Sequence, residues 1–172
     1  NLFGKDREKS DFLTPITDAQ GSSTTAFYSI SKPGNLPHIY RHNNCDVLSI
    51  LLSGSGVYGI GNQRISARQG DCGFVTKGTE HFFANSSNDA SLMVGFFIGA
   101  KDIDATGVEV TGSISTNELT NKNERNQVKQ KDGFIVNIDD INPEDMDESD
   151  GWKISDFRLP ISAKNGSSST LF

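Results

Sequence analysis

Between Thr24 and Gly99 the chain breaks into short runs of β-forming residues separated by glycine, asparagine and proline. TTAFYSIS, LPHIYRH, DVLSILLS, SGVYGIG, QRISAR, CGFVTK, HFFAN and SLMVGFFIG are joined by KPGN, GSG, GN, RQGD, KGTE and NSSND. Short, closely spaced strand signals with this punctuation predict an all-β barrel or sandwich. Gly61-Asn62, between two alternating runs, predicts a tight hairpin. The pattern changes after Gly99. Residues 114–131, SISTNELTNKNERNQVKQ, lack β alternation and read as a polar helix or an irregular linker. GFIVNI (133–138) reads as one more strand, and DDINPEDMDESD (139–150) as a solvated acidic linker. At 172 residues the chain is long enough for one domain with a sizeable core.

A repeat adds a second constraint. SDFLTPITDAQGSSTTAF (10–27) aligns without gaps on SDFRLPISAKNGSSSTLF (155–172). Ten of the eighteen positions are identical: Ser, Asp, Phe, Pro, Ile, Gly, Ser, Ser, Thr and Phe. Chance gives about one or two. The Gly-Ser portion is low in complexity, but SDF…PI is not. Two similar Ser-rich arms would account for it; the preferred reading is a tandem duplication in which residues 155–172 are the arm and first strand of a second copy. The expected division is therefore a domain with an N-terminal arm over 1–138, an acidic linker over 139–154 and the second-copy strand over 155–172. That strand would pair with a second polypeptide carrying the remaining copy, or with another copy of the chain, because an isolated strand leaves its N–H and C=O groups without partners.

Composition excludes several functions. The net charge is −6, against nucleic acid as the main partner. No apolar run approaches the twenty or so residues that cross a bilayer as a helix. NLFGKDREKSDF lacks the apolar core of a signal peptide. These features describe a soluble protein, cytoplasmic or secreted. Two cysteines, Cys45 and Cys72, are too few for a disulfide scaffold and form no CxxC knuckle; they read as small core residues. Asn85-Ser86-Ser87 and Asn165-Gly166-Ser167 match glycosylation sequons of a kind an Asn- and Ser-rich chain produces by chance.

The three histidines fall in two windows. GNLPHIYRHNNCDVLSILLSGSG holds His38 and His42; GDCGFVTKGTEHFFAN holds His81. On a strand His38, Tyr40 and His42 share a side, and a barrel interior can bring His81 to meet them. Imidazole is the commonest metal ligand, so the segregation favours a metal site over polar residues at strand ends. The phenylalanines at 74, 82, 83, 96 and 97 read as core, some able to line an apolar ligand pocket.

The second window resembles the cupin superfamily. That family's second motif runs Gly, five residues, Pro, one residue, Gly, two residues, His, three residues, Asn. Here Gly70, Thr76 in place of proline, Gly78, His81 and Asn85 keep every spacing. The first motif is matched less fully. Counting from Gly34, Tyr40 takes the first histidine position, His42 the second and Asp46 that of glutamate, with one extra residue before Gly54. In a second register LPHIY resembles the LPHIH of fungal quercetinases, tandem-cupin dioxygenases, which makes His38 the first ligand and sets Tyr40 at the second position. The resemblance implies an antiparallel jelly-roll barrel of the bicupin type. It implies His38, His42, Asp46 and His81 as metal ligands for Fe, Cu, Mn or Ni, with Tyr40 hydrogen-bonding a bound small-molecule substrate or oxygen. A metal-dependent dioxygenase is one implied function. The other is a non-catalytic bicupin with a degenerate metal site that binds a small molecule or is structural.

Overall fold

The computed structural model describes residues 11–119, 131–144 and 156–171. Eleven strands are found among them: β1 (Phe12–Ile16), β2 (Thr25–Ser31), β3 (His38–His42), β4 (Asp46–Ser53), β5 (Ser55–Ile60), β6 (Gln63–Arg68), β7 (Asp71–Val75), β8 (His81–Asn85), β9 (Ser91–Ile98), β10 (Val108–Ser113) and β11 (Gly133–Asn137). They form two antiparallel sheets, ordered β1-β2-β9-β4-β7-β11 and β10-β3-β8-β5-β6. This is the all-β architecture that the strand punctuation predicts, in the double-sheet jelly-roll form that the cupin resemblance implies. Gly61 turns the β5–β6 hairpin at φ 52°.

Period-2 alternation divides the six-stranded sheet into two apolar faces. Val47, Leu51, Val75, Met93, Phe97 and Ile135 point into the barrel with Phe27, Tyr58, Ile60 and Ile65. Leu48, Cys72, Phe74 and Phe134 point out of the back and are also buried. What buries the back is the segment carrying Ile161, which is 0% exposed against that face, with Leu171 packed beside it. The second copy of the repeat is therefore docked on this barrel.

Gly95, at the centre of β9, is required by close approach. A Cβ there would overlap the Phe27 ring and the carbonyl of Leu48. Between the sheets, Ser49 on β4 and Tyr58 on β5 share a buried hydrogen bond of 2.6 Å. It satisfies two hydroxyls inside an apolar interior, where an unmade bond is costly.

Of the stretch 114–131, Thr116–Leu119 is a single 3-10 turn, and 120–130 lie outside the described residues. Of the acidic stretch, Ile138–Asp140 forms a 3-10 turn, and 145–155 lie outside the described residues. Both sequon asparagines serve the fold. Asn85 donates to the carbonyls of Ser31 and Asp89 and accepts from Ser87. Asn165 donates to the carbonyl of Pro160 and accepts from the Ser162 amide. Both cysteines are buried thiols, with burial pushing Cys45 up to about 11 and Cys72 up to about 12, so neither is a reactive thiolate.

Candidate functional site

A cavity of about 620 Å³ opens between the sheets. β3 and β8 are neighbours in the five-stranded sheet, and their register sets Tyr40 opposite His81. Alternation then places His38, Tyr40 and His42 on the same wall as His81. The His42 and His81 rings lie 5.2 Å apart, centroid to centroid, tilted by 33°. Phe97 reaches across from the other sheet and packs on His42 at 4.6 Å.

The two imidazoles are held differently. His81 Nδ1 lies 3.0 Å from the carbonyl oxygen of Thr79. A carbonyl only accepts, so Nδ1 carries the proton and Nε2 is left as an acceptor. His42 is 7% exposed, and its Nδ1 is buried without a partner among the described residues. Burial first, then the neighbouring His81, pushes His42 down to about 4. Burial also lowers His81, partly opposed by its bond to Thr79. Both rings are neutral at physiological pH.

The turn before His81 is clamped to the end of β3. Gly78 N–H donates to the His42 carbonyl at 2.7 Å, and Thr79 N–H to the Thr76 carbonyl at 3.1 Å. Thr76, standing where the cupin motif has proline, shares a 3.0 Å bond with the Thr79 hydroxyl and donates to the carbonyl of Lys131. A hydroxyl thus does by hydrogen bonding what a proline ring does by stiffness.

Two of the expected ligands do not join the pair. Asp46, the first residue of β4, turns its carboxylate to the outside of the same turn. Oδ1 accepts from the Lys77 amide at 2.9 Å and Oδ2 from the Ser168 hydroxyl at 2.8 Å. A carboxylate one methylene shorter than glutamate is satisfied locally and does not line the cavity. His38 is exposed at the cavity mouth, its Nδ1 3.0 Å from the Ser113 hydroxyl and its ring edge-on to Tyr40. Among the described residues no three of His, Cys, Asp or Glu converge as a metal cluster. Tyr40 is half-buried and does line the cavity.

The rest of the lining is mostly apolar. Phe12, Phe27, Phe83, Met93, Phe97 and Ile103 contribute, with Leu36 and Pro37 from the loop before β3. Among the described residues no lysine or arginine lines it. The sequence pointed to the phenylalanines at 74, 82, 83, 96 and 97 and not to Phe27; that Phe27 and Phe97 face inward while Phe74 and Phe96 face out depends on strand register, which spacing alone does not reveal.

No protein-family profile matches the sequence. No curated protein is similar enough in sequence to match. Solved structures do match in fold. A cupin-like protein from Thermotoga maritima aligns with a TM-score of 0.52 at 20% identity, over 63% of this chain and 80% of that one. An oxalate oxidase in complex with the substrate analogue glycolate aligns at 0.50 and 17%, over 64% of this chain and 58% of that one. An oxalate decarboxylase aligns at 0.50 and 13%, over 58% of this chain and 27% of that one. The chain thus spans little more than half of the oxidase and about a quarter of the decarboxylase. At these identities the likeness establishes the cupin fold. Among the described residues, no helix is long and apolar enough to cross a membrane.

Proposed function

We propose that this cupin-fold barrel binds a small, uncharged, largely apolar molecule, an aromatic one carrying a hydroxyl or carbonyl. The observation that supports this is the distribution of polarity in the cavity. Its volume suits a small molecule, its walls are aromatic and aliphatic, and its imidazoles and the Tyr40 hydroxyl gather on one wall. His81 Nε2 accepts a hydrogen bond from a ligand hydroxyl. Among the described residues the lining holds two neutral imidazoles, the Asp11 carboxylate and no lysine or arginine, so none of them neutralises a dicarboxylate.

The bound metal implied by the cupin resemblance fits the described residues poorly. His42 and His81 supply two nitrogen donors, whereas transition-metal sites in proteins generally use three or four protein ligands. Asp46 is committed to the 76–79 turn, and His38 stands at the mouth. A quercetinase-like dioxygenase is the second reading. The buried, partnerless Nδ1 of His42 favours it, but a third donor would have to come from outside the described residues. The repeat also supports a bicupin organisation in which this barrel is one of two.

Calorimetric titration with 2-naphthol and with oxalate tests the first reading, and elemental analysis of the protein as purified tests the second. Expected are saturable binding of 2-naphthol, at least tenfold weaker binding of oxalate, and no stoichiometric metal. Binding of oxalate without 2-naphthol would overturn the proposal. Stoichiometric iron, copper, manganese or nickel, lost in His81→Ala, would move the function to the dioxygenase.

A further inference from the structure

The two copies of the repeat build the same turn. In the first, Thr17 N–H donates to Gln20 Oε1 at 2.9 Å; in the second, Ser162 N–H donates to Asn165 Oδ1 at 2.8 Å. Ala19 N–H to Thr17 Oγ1 is matched by Lys164 N–H to Ser162 Oγ. Gln20, Gly21 and Ser22 donate to the carbonyls of Thr17, Asp18 and Thr17; Asn165, Gly166 and Ser167 donate to those of Ser162, Ala163 and Ser162. Thr24 N–H to Ser22 Oγ is matched by Ser169 N–H to Ser167 Oγ. Gly21 and Gly166 both turn left-handed, at φ 81° and 89°. The strand contact that follows is repeated too: Ile16 pairs with Ala26, and Ile161 bridges Leu171.

What differs is what each turn grips. The first holds the corner at the end of β9. Asp18 N–H donates to the Lys101 carbonyl and Thr25 N–H to that of Ala100, both at 2.8 Å. Thr25 Oγ1 adds a bond to Ala100, and Thr24 Oγ1 accepts from Gly99 N–H. Ala163, Thr170 and Ser169 occupy the matching positions of the second turn. Ala163 and Thr170 are exposed, and their amides have no partner among the described residues. The module is already folded, braced by Ile161 against the back of the six-stranded sheet and by Ser168 on Asp46.

Resting on the two-barrel reading above, we propose that this second turn is the docking site for a second jelly-roll barrel. The partner offers the strand-end corner that Gly99–Lys101 forms here, with two successive carbonyls to accept from Ala163 and Thr170 N–H and an amide to donate to Ser169 Oγ. A second copy of this chain does not meet that description, because its own corner is held by its own first turn. The second barrel would thereby sit behind the six-stranded sheet, on the side away from the cavity.

Two measurements on the full-length protein from its own host test this. Amide hydrogen exchange should show Ala163 and Thr170 protected at least a hundredfold, like the bonded amides of Asp18 and Thr25 measured alongside them; exchange at the rate of an unprotected amide overturns the docking site. A photo-crosslinker at position 163 should join a strand end of a second barrel, while the same group at position 18 joins the Lys101 corner of its own barrel. Capture of a second copy of this chain, or of residues 11–144 alone, overturns the proposal. Lysine cross-linking of the same preparation separates the two levels. If it finds a second barrel that position 163 does not reach, the contact fails and the two-barrel organisation stands; if it finds none, both fail.

Discussion

Ser168 Oγ donates to Asp46 Oδ2 at 2.8 Å, and the other oxygen of that carboxylate takes the Lys77 amide at 2.9 Å. One side chain thereby joins the docked second repeat to the turn that delivers His81. Asp46 thus braces that turn from outside the cavity.

Asp46→Ala removes both bonds and leaves the Lys77 amide uncapped. The expected cost is about 1–2 kcal/mol, read as a lower urea midpoint. Affinity for 2-naphthol should change less than threefold, because no ligand contact is lost. A tenfold loss with unchanged stability would place Asp46 in the cavity after all.

Stability should fall with acid in a defined window. His42 titrates near its ordinary value of 6.5 when unfolded and at about 4 when folded, so between these values the unfolded state binds more protons. Its contribution is whole above pH 6.5 and is lost as pH falls towards 4, at up to about 1.4 kcal/mol per pH unit. His81 is lowered in the same direction. Urea unfolding at pH 7.5 and 4.5 should show the drop, and His42→Leu should make the profile shallower. An unchanged slope in that variant would mean that the buried ring is not the titrating group.

Tyr58→Phe leaves the buried Ser49 hydroxyl without its 2.6 Å partner. The expected cost is about 1–3 kcal/mol, and the double variant with Ser49→Ala should recover part of it, since removing both polar groups is cheaper than stranding one. Additive losses would show that the two hydroxyls are not coupled.

Ile161→Ala should release the second repeat without unfolding the barrel. Truncating a side chain that is 0% exposed costs about 2–4 kcal/mol. Its side chain packs in the back-face cluster, with Leu171 of its own segment beside it. Exchange protection over 156–171 should therefore collapse while that of β4 and β9 persists. Simultaneous loss in both would show that segment and barrel unfold as one unit.

Much of this protein was legible in the sequence because the relevant forces are local. Period-2 alternation with glycine turns dictates strands, and an all-β barrel follows from burying their apolar faces. The same period placed His38, Tyr40 and His42 on one side of one strand. Even the repeated turn is a local device: a Ser or Thr cap, an amide three residues on and a left-handed glycine close it wherever the sequence occurs. Tertiary structure decided everything that depends on neighbours. Register between β3 and β8 brought His81 to His42 and left His38 at the mouth, and the position of Asp46 beside the 76–79 turn consumed its carboxylate. Equivalent isoleucines met opposite fates, Ile16 at 41% exposed and Ile161 at 0%. The same residue in the same turn is buried or exposed according to which sheet face lies over it, and no local sequence carries that information.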